Sequence, residues 1–201
     1  MACAWLVEAV GPEPGLPPAL AAEVADDTWR AVAVLAATGF SAPVTTSAGR
    51  LFDAVSALCG IRARVNYEGQ AAIELEAACD HRERGAYEIP CDESLVLDPR
   101  PAIRAVARDV AAGVAVGAVA VRFHRGLAEA TARACILAAE RHGLDLVVLS
   151  GGVFQNRTLL AGTRAHLERA GLRVLMPVRL PPGDGGIAYG QAAVAAAASR
   201  T

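Results

Sequence analysis

The stretch Leu144–Met176 reads LDLVVLSGGVFQNRTLLAGTRAHLERAGLRVLM, and its order decides the fold class. LDLVVL is a short, β-branched apolar run bounded by Gly143 and Ser150, which predicts a buried strand over 144–149. Ser150-Gly151-Gly152 then makes a tight turn into a helix over 156–170, stopped by Gly171. Leu172–Met176 is the next strand, and Pro181-Pro182-Gly183-Asp184-Gly185-Gly186 is a second sharp turn that opens a last helix over 187–198. Strand, glycine turn, helix, strand, glycine turn, helix is the order of a layered α/β domain.

Upstream of this unit the chain reads as mainly helical. Asp26 and Asp27 are good capping residues for a helix that stops at Gly39, and Ser47 caps another carrying Leu51, Val55 and Leu58 as far as Gly60. A short helix follows Gly69, over 70–79. The polar segment 80–98, with Tyr87, Ile89, Leu95 and Leu97 alternating, predicts one or two short strands. Pro99 and Pro101 open a helical block that Gly113 breaks, and a long helix follows from about Val116 to Arg141. Gly11, Pro12, Pro14, Gly15, Pro17 and Pro18 cannot sustain a helix or a central strand. An irregular arm is therefore expected over 1–24, with the folded module over 25–201.

Composition narrows the chemistry. Of the 201 residues 54% are hydrophobic and 20% charged, a globular balance. The net charge of −2 gives no electrostatic footprint for nucleic acid or a membrane surface. All 19 basic residues are arginine, which rules out Schiff-base chemistry and a phosphate-loop lysine. The five cysteines are odd in number and scattered, so a disulfide framework is not expected and a cytoplasmic location is. Cys79, His81 and Cys91 lack the paired spacing of a zinc site. MACAWLVEAV has no basic region and carries Glu8, unlike a signal peptide, and the alanine/valine run 111–121 is too short to span a bilayer.

Chemistry is expected at the two glycine turns. Glycine allows positive φ and close approach of a ligand to the backbone, and helix N-termini favour phosphate. The second turn adds a carboxylate, Asp184, which suits a divalent cation or an attacking water; a turn-forming or capping aspartate is the plainer reading. Asn156 either caps the following helix or touches the ligand. From the residues alone the result is a nucleotide- or phosphate-binding α/β domain.

The strings carry more than this. LSGGVFQNR (149–157), LPPGDGGIAYGQ (180–191), SAGRLFDAV (47–55) and YEGQAAIELE (67–76), with Arg122-Phe123-His124 and Leu127-Ala128, together resemble the C-terminal part of the HypF family of hydrogenase-maturation carbamoyltransferases. The resemblance covers about residues 25–200. It implies a TsaD-like module of the ASKHA fold, two ribonuclease-H-like halves around an ATP cleft, of which this chain is mainly the second and helix-rich half. It further implies that Asp53 and Gly69 contact the nucleoside, that Gly151, Gly152, Asn156 and Gly185 line the nucleotide, and that Asp184 is a ligand of a divalent metal ion. The implied reaction passes carbamoyl, through ATP-derived carbamoyl-adenylate, to the C-terminal cysteine of HypE. A TobZ-type O-carbamoyltransferase and a non-catalytic nucleotide-binding fragment are the alternatives.

Departures from the family pattern are equally legible. The acylphosphatase-like, zinc-finger and YrdC-like domains have no counterpart here, nor does the H-x-x-x-H pair of the module's first half; His81, His124, His142 and His166 do not have that spacing. The remaining HypF domains, or a separate chain supplying the missing half, are therefore expected partners, besides HypE. An uncovered apolar patch is expected on the helices over 47–60 and 187–198.

Overall fold

A computed structural model describes residues 1–199. Its elements are α1 (Ala2–Val10), α2 (Asp26–Thr38), α3 (Ala48–Leu58), α4 (Gln70–Ala77), α5 (Arg100–Ala111), α6 (Val116–His142), β1 (Leu146–Val148), α7 (Arg157–Arg169), β2 (Arg173–Leu175) and α8 (Ile187–Ala198). The fold is a helix-rich α/β module with a small parallel sheet.

Helices α1 to α5 and the first half of α6 enclose the main core. Phe52, Leu58, Leu75, Ile103, Val106 and Phe123 are almost entirely buried there, and Phe52 meets Phe123 edge to face with centroids 5.1 Å apart. Ser47 accepts from the Arg50 amide and starts α3 as expected. A second, smaller cluster forms where the far half of α6 meets α7 and the sheet. Ala132, Leu149 and Leu167 are buried in it, with Ile136, Val147 and Val174 packed around them. The 27-residue α6 contributes to both clusters.

Strands β1 and β2 pair in parallel, Leu146 with Arg173, Val147 with Val174 and Val148 with Leu175, and α7 connects them. One face of this two-stranded sheet packs on α6 and α7. The other carries Val148 and Leu175, 61% and 54% exposed, so the strand expected to be buried is covered on one side only.

Three expectations are corrected. Residues 2–10 are not an irregular arm: α1 is a helix that buries Ala2, Cys3, Leu6, Val7 and Ala9 against the main core. No helix breaker precedes Gly11, and the proline cluster confines irregular backbone to 11–25, with one 3-10 turn at Pro18–Leu20. The segment 80–98 forms a single antiparallel bridge, Cys91 to Leu97, in place of strands. It runs as a strap along α6, where the Tyr87 amide donates to the Arg122 carbonyl (3.0 Å). Finally, α3 has no uncovered apolar face, because Leu51, Phe52, Ala54, Val55, Ala57 and Leu58 are all buried. Helix α8 is the opposite case, with no buried residue and with Ile187, Tyr189 and Val194 exposed.

Candidate nucleotide site

The two glycine turns meet at the carboxyl ends of the strands. Leu149 continues the ladder, its amide donating to the Leu175 carbonyl (2.9 Å), and the chain then turns through Gly151 at φ +102°, a region that favours glycine. The Gly151 amide donates to the Pro182 carbonyl at 2.7 Å, and Ser150 Oγ donates to the same oxygen at 3.4 Å. These two bonds tie the first turn to the second. A Cβ on Gly183 would stand 3.4 Å from the Gly152 Cα, so the backbones are nearly in contact.

The glycines have different reasons to be there. Cβ atoms on Gly185 and Gly186 would press on Pro181, at 2.9 Å from its Cγ and 2.7 Å from its carbonyl oxygen, so both serve the turn itself. Cβ atoms on Gly151 and Gly152 would meet nothing within 4 Å. The space above the first turn is open, and a ligand can reach its backbone.

The N-terminus of α7, expected to be available to phosphate, is already occupied. Asn156 Oδ1 accepts from the Leu159 amide (2.8 Å), and Glu76 Oε1, from the end of α4, accepts from the Thr158 amide (2.7 Å). Asn156 is therefore the cap of α7. Its Nδ2 donates to Nε2 of His124 (2.8 Å), whose Nδ1 donates to the Ala120 carbonyl (2.8 Å). A carbonyl only accepts, so the imidazole carries its proton on Nδ1. Burial disfavours its charged form and holds its pKa below the ordinary value. Cys79 Sγ lies 3.4 Å from the same Nδ1, its thiol pushed up to about 12 by burial and so kept neutral. Nothing in the sequence joins Glu76 to the glycine turn, since the two meet only once α4 lies beside α7.

Asp184 is exposed and begins a 3-10 turn, Asp184–Gly186, which has no side-chain cap. Among the described residues no three His, Cys, Asp or Glu side chains come together as a metal site, so no such cluster within this chain would hold a metal ion by itself. Asp53 sits elsewhere. It pairs with Arg50 (3.0 Å) in a cleft of ≈ 300 Å³ that Trp29, Arg62 and Cys3 also line and that no residue of either glycine turn enters. Gly69 precedes α4 at φ +81°. Gly151, Gly152, Gly183, Asp184 and Gly185 thus form one surface with Asn156 behind it, while Asp53 and Gly69 lie on the α3–α4 side.

Residues 1–191 match the family model for the carbamoyltransferase Kae1-like domain, second subdomain. The chain is 42% identical over 165 residues to carbamoyltransferase HypF of Rhodobacter capsulatus, covering 81% of this chain and 21% of that protein. It is 38% identical over 154 residues to HypF of Synechocystis sp., covering 75% and 19%. A HypF homolog of Cupriavidus necator is 39% identical over 186 residues, covering 87% and 46%. The chain thus spans about a fifth to a half of these relatives. Among solved structures, full-length HypF in a phosphate- and nucleotide-bound form superposes with a TM-score of 0.83 at 31% identity, over 96% of this chain and 25% of that one. The chain belongs to the HypF carbamoyltransferase family, within which it matches the second subdomain of the Kae1-like domain.

Proposed function

We propose that this chain is one wall of the nucleotide cleft of a HypF-type carbamoyltransferase, which passes carbamoyl from carbamoyl-adenylate to the C-terminal cysteine of HypE for the cyanide ligand of [NiFe]-hydrogenase. The observation that carries this reading is the meeting of two glycine turns under open space, in a fold shared with a nucleotide-bound HypF. In this role the open backbone at Gly151 and Gly152 lets the nucleotide approach closely, the Gly151 amide being held by Pro182, and Gly185 keeps the second turn tight beside it. Asn156 fixes the first turn from behind. Asp53 and Gly69 contribute to the nucleoside side once the rest of the cleft is in place.

The residues of this chain do not by themselves fit a metal ion, because among the described residues Asp184 belongs to no group of three or more His, Cys, Asp or Glu side chains that could hold one. Asp184 is proposed as one ligand of an ion whose others come from the missing half. A divalent ion bound there would offset phosphate charge. The missing half is further supported by the bare sheet face at Val148 and Leu175 and by the unburied α8. Among the described residues no helix is long and apolar enough to cross a membrane, and five free cysteines suit a reducing cytoplasm.

The test is reconstitution. The chain is combined with a polypeptide carrying the remaining HypF domains, and transfer of labelled carbamoyl to HypE is measured. Transfer by the combination and none by either part is the expected result. Transfer by the 201-residue chain alone, or none by the combination, overturns the reading.

A further inference from the structure

The first turn of α7 is held by two side chains that reach it from distant parts of the chain. Of the amides that helix geometry leaves without partners, Thr158 is taken by Glu76, 82 residues earlier, and Leu159 by Asn156, which is itself held by His124. We propose that Glu76 and His124 are positioning residues that set the Gly151–Gly152 turn for its nucleotide by fixing the first turn of α7 from α4 and α6. This rests on the nucleotide reading above.

Each proton in the chain of bonds is determined by its neighbour. Asn156 must turn Oδ1 toward the Leu159 amide, so its Nδ2 faces His124. The imidazole must then accept at Nε2 and donate from Nδ1 to Ala120. One arrangement satisfies all the groups. The ring has no room to adapt, being 1% exposed and packed edge-on against Phe52 and Phe123. Asn156 is in turn joined to the glycine turn by one 3-10 turn, with its amide donating to Val153 and the Phe154 amide donating to Gly151. Any shift at Asn156 is carried to Gly151. The carboxylate of Glu76 also fills the positive end of α7, so a phosphate is directed to the open side of the glycine turn and away from the helix.

A protonated His124 would present an Nε2–H to the amide hydrogens of Asn156. The bond survives only if Asn156 reverses and releases Leu159. The titratable groups acting on the ring are Glu76 and Cys79 at the end of α4 and His81 just beyond it, while α3 presents Phe52 and α7 presents Asn156. Since burial holds the ring's pKa below its ordinary 6.5, the bond is intact at neutral pH and is lost on acidification.

The test uses the 201-residue chain and three variants. His124→Phe keeps the ring and removes the acceptor, Glu76→Ala removes the brace, and Glu76→Gln keeps an oxygen for the Thr158 amide. Amide exchange at residues 151–160 is measured by NMR, and Mg·ATP affinity is titrated from pH 5 to 8. His124→Phe should speed exchange at Leu159 and in the glycine turn while leaving α3 and α5 unchanged. It should weaken ATP binding roughly fivefold at neutral pH, the worth of one hydrogen bond, and abolish the loss of affinity that the parent chain shows on acidification. Glu76→Ala should weaken binding similarly and Glu76→Gln restore it. A lower melting temperature with unchanged local exchange and an unchanged pH profile overturns the proposal, as does failure of Glu76→Gln to rescue. Should the parent chain bind no ATP even with the remaining HypF domains supplied, the nucleotide reading fails, and exchange at 151–160 in the Glu76 and His124 variants decides the positioning role on its own.

Discussion

Gly126 of α6 lies directly beneath the backbone of Tyr87, so closely that a Cβ at 126 would collide with the Tyr87 carbonyl. The atom in the way is main chain, which cannot swing aside, and the strap is pinned nearby by the Tyr87 amide on Arg122. Gly126→Ala is therefore expected to destabilise the protein by about 3 kcal/mol, although alanine favours helices. Thermal melting should fall by roughly 6–12 °C. A variant as stable as the parent would show that the strap is not seated on α6.

Acid stability should depend on Arg122. Its guanidinium binds Asp109 (3.0 Å) and Glu83 (2.9 Å), and Tyr87 Oη donates to the same Asp109 oxygen (2.8 Å). Burial pushes the Asp109 carboxyl up, but the Tyr87 and Arg122 hydrogen bonds outweigh it and leave the pKa below the ordinary 3.8. Glu83 is held below 4.5 by the Gly85 amide first and Arg122 second. Carboxylates lowered in the fold contribute stability that is present above those ordinary values and is lost as pH falls through the lowered ones. Arg122→Met should flatten the acid limb of a stability-against-pH curve below about pH 4.5 and lower stability at pH 7. An unchanged acid limb would assign acid unfolding to other groups.

The βαβ unit was legible because its signals are local. LDLVVL, SGG, the apolar spacing of α7 and Gly171 each act within a few residues, and the observed β1, α7 and β2 lie inside the expected bounds. Helix α1 is hidden for the same reason, since the breaking signal of the prolines and glycines over 11–18 lies beside a helix of only nine residues. The meeting of the two turns was readable from their shared place after parallel strands. Glu76 and His124 were not, because their tie to the turn arises from α4 and α6 packing beside α7, which no short-range pattern encodes.

Asn156→Ala should be costlier than an ordinary cap loss. The cap contributes about 1 kcal/mol, and the buried Nε2 of His124 left without a donor adds roughly 1–3 kcal/mol. Combined with His124→Phe the losses should be less than additive, because the second change removes the stranded acceptor. Urea unfolding of both single variants and the double variant measures this; strict additivity would mean that the two side chains act independently.

Asp184→Ala should leave stability within about 0.5 kcal/mol, since the turn shows no side-chain cap from this residue. Magnesium-dependent strengthening of ATP binding, measured once the other half of the cleft is supplied, should disappear. A stability loss with unchanged binding would return Asp184 to a structural role.

The purified chain should self-associate through Val148, Leu175, Ile187, Tyr189 and Val194, which leave apolar surface uncovered on the sheet and α8. Light scattering after gel filtration should show oligomers that Val148→Ser with Leu175→Ser reduces. Co-expression with the remaining domains should give one species of defined mass. A monodisperse monomer at high concentration would mean that these faces need no cover.

Helix α6 runs uninterrupted for 27 residues, roughly 40 Å, with its first half in one cluster and its second half in the other. It contains no proline, and its interior glycine, Gly126, is clamped by the strap. A rod of this kind is a poor joint, so α6 links the helical block and the glycine turns as a single rigid body. A rotation of α1 or α5 as part of that body would therefore carry the Gly151–Gly152 turn through the same angle.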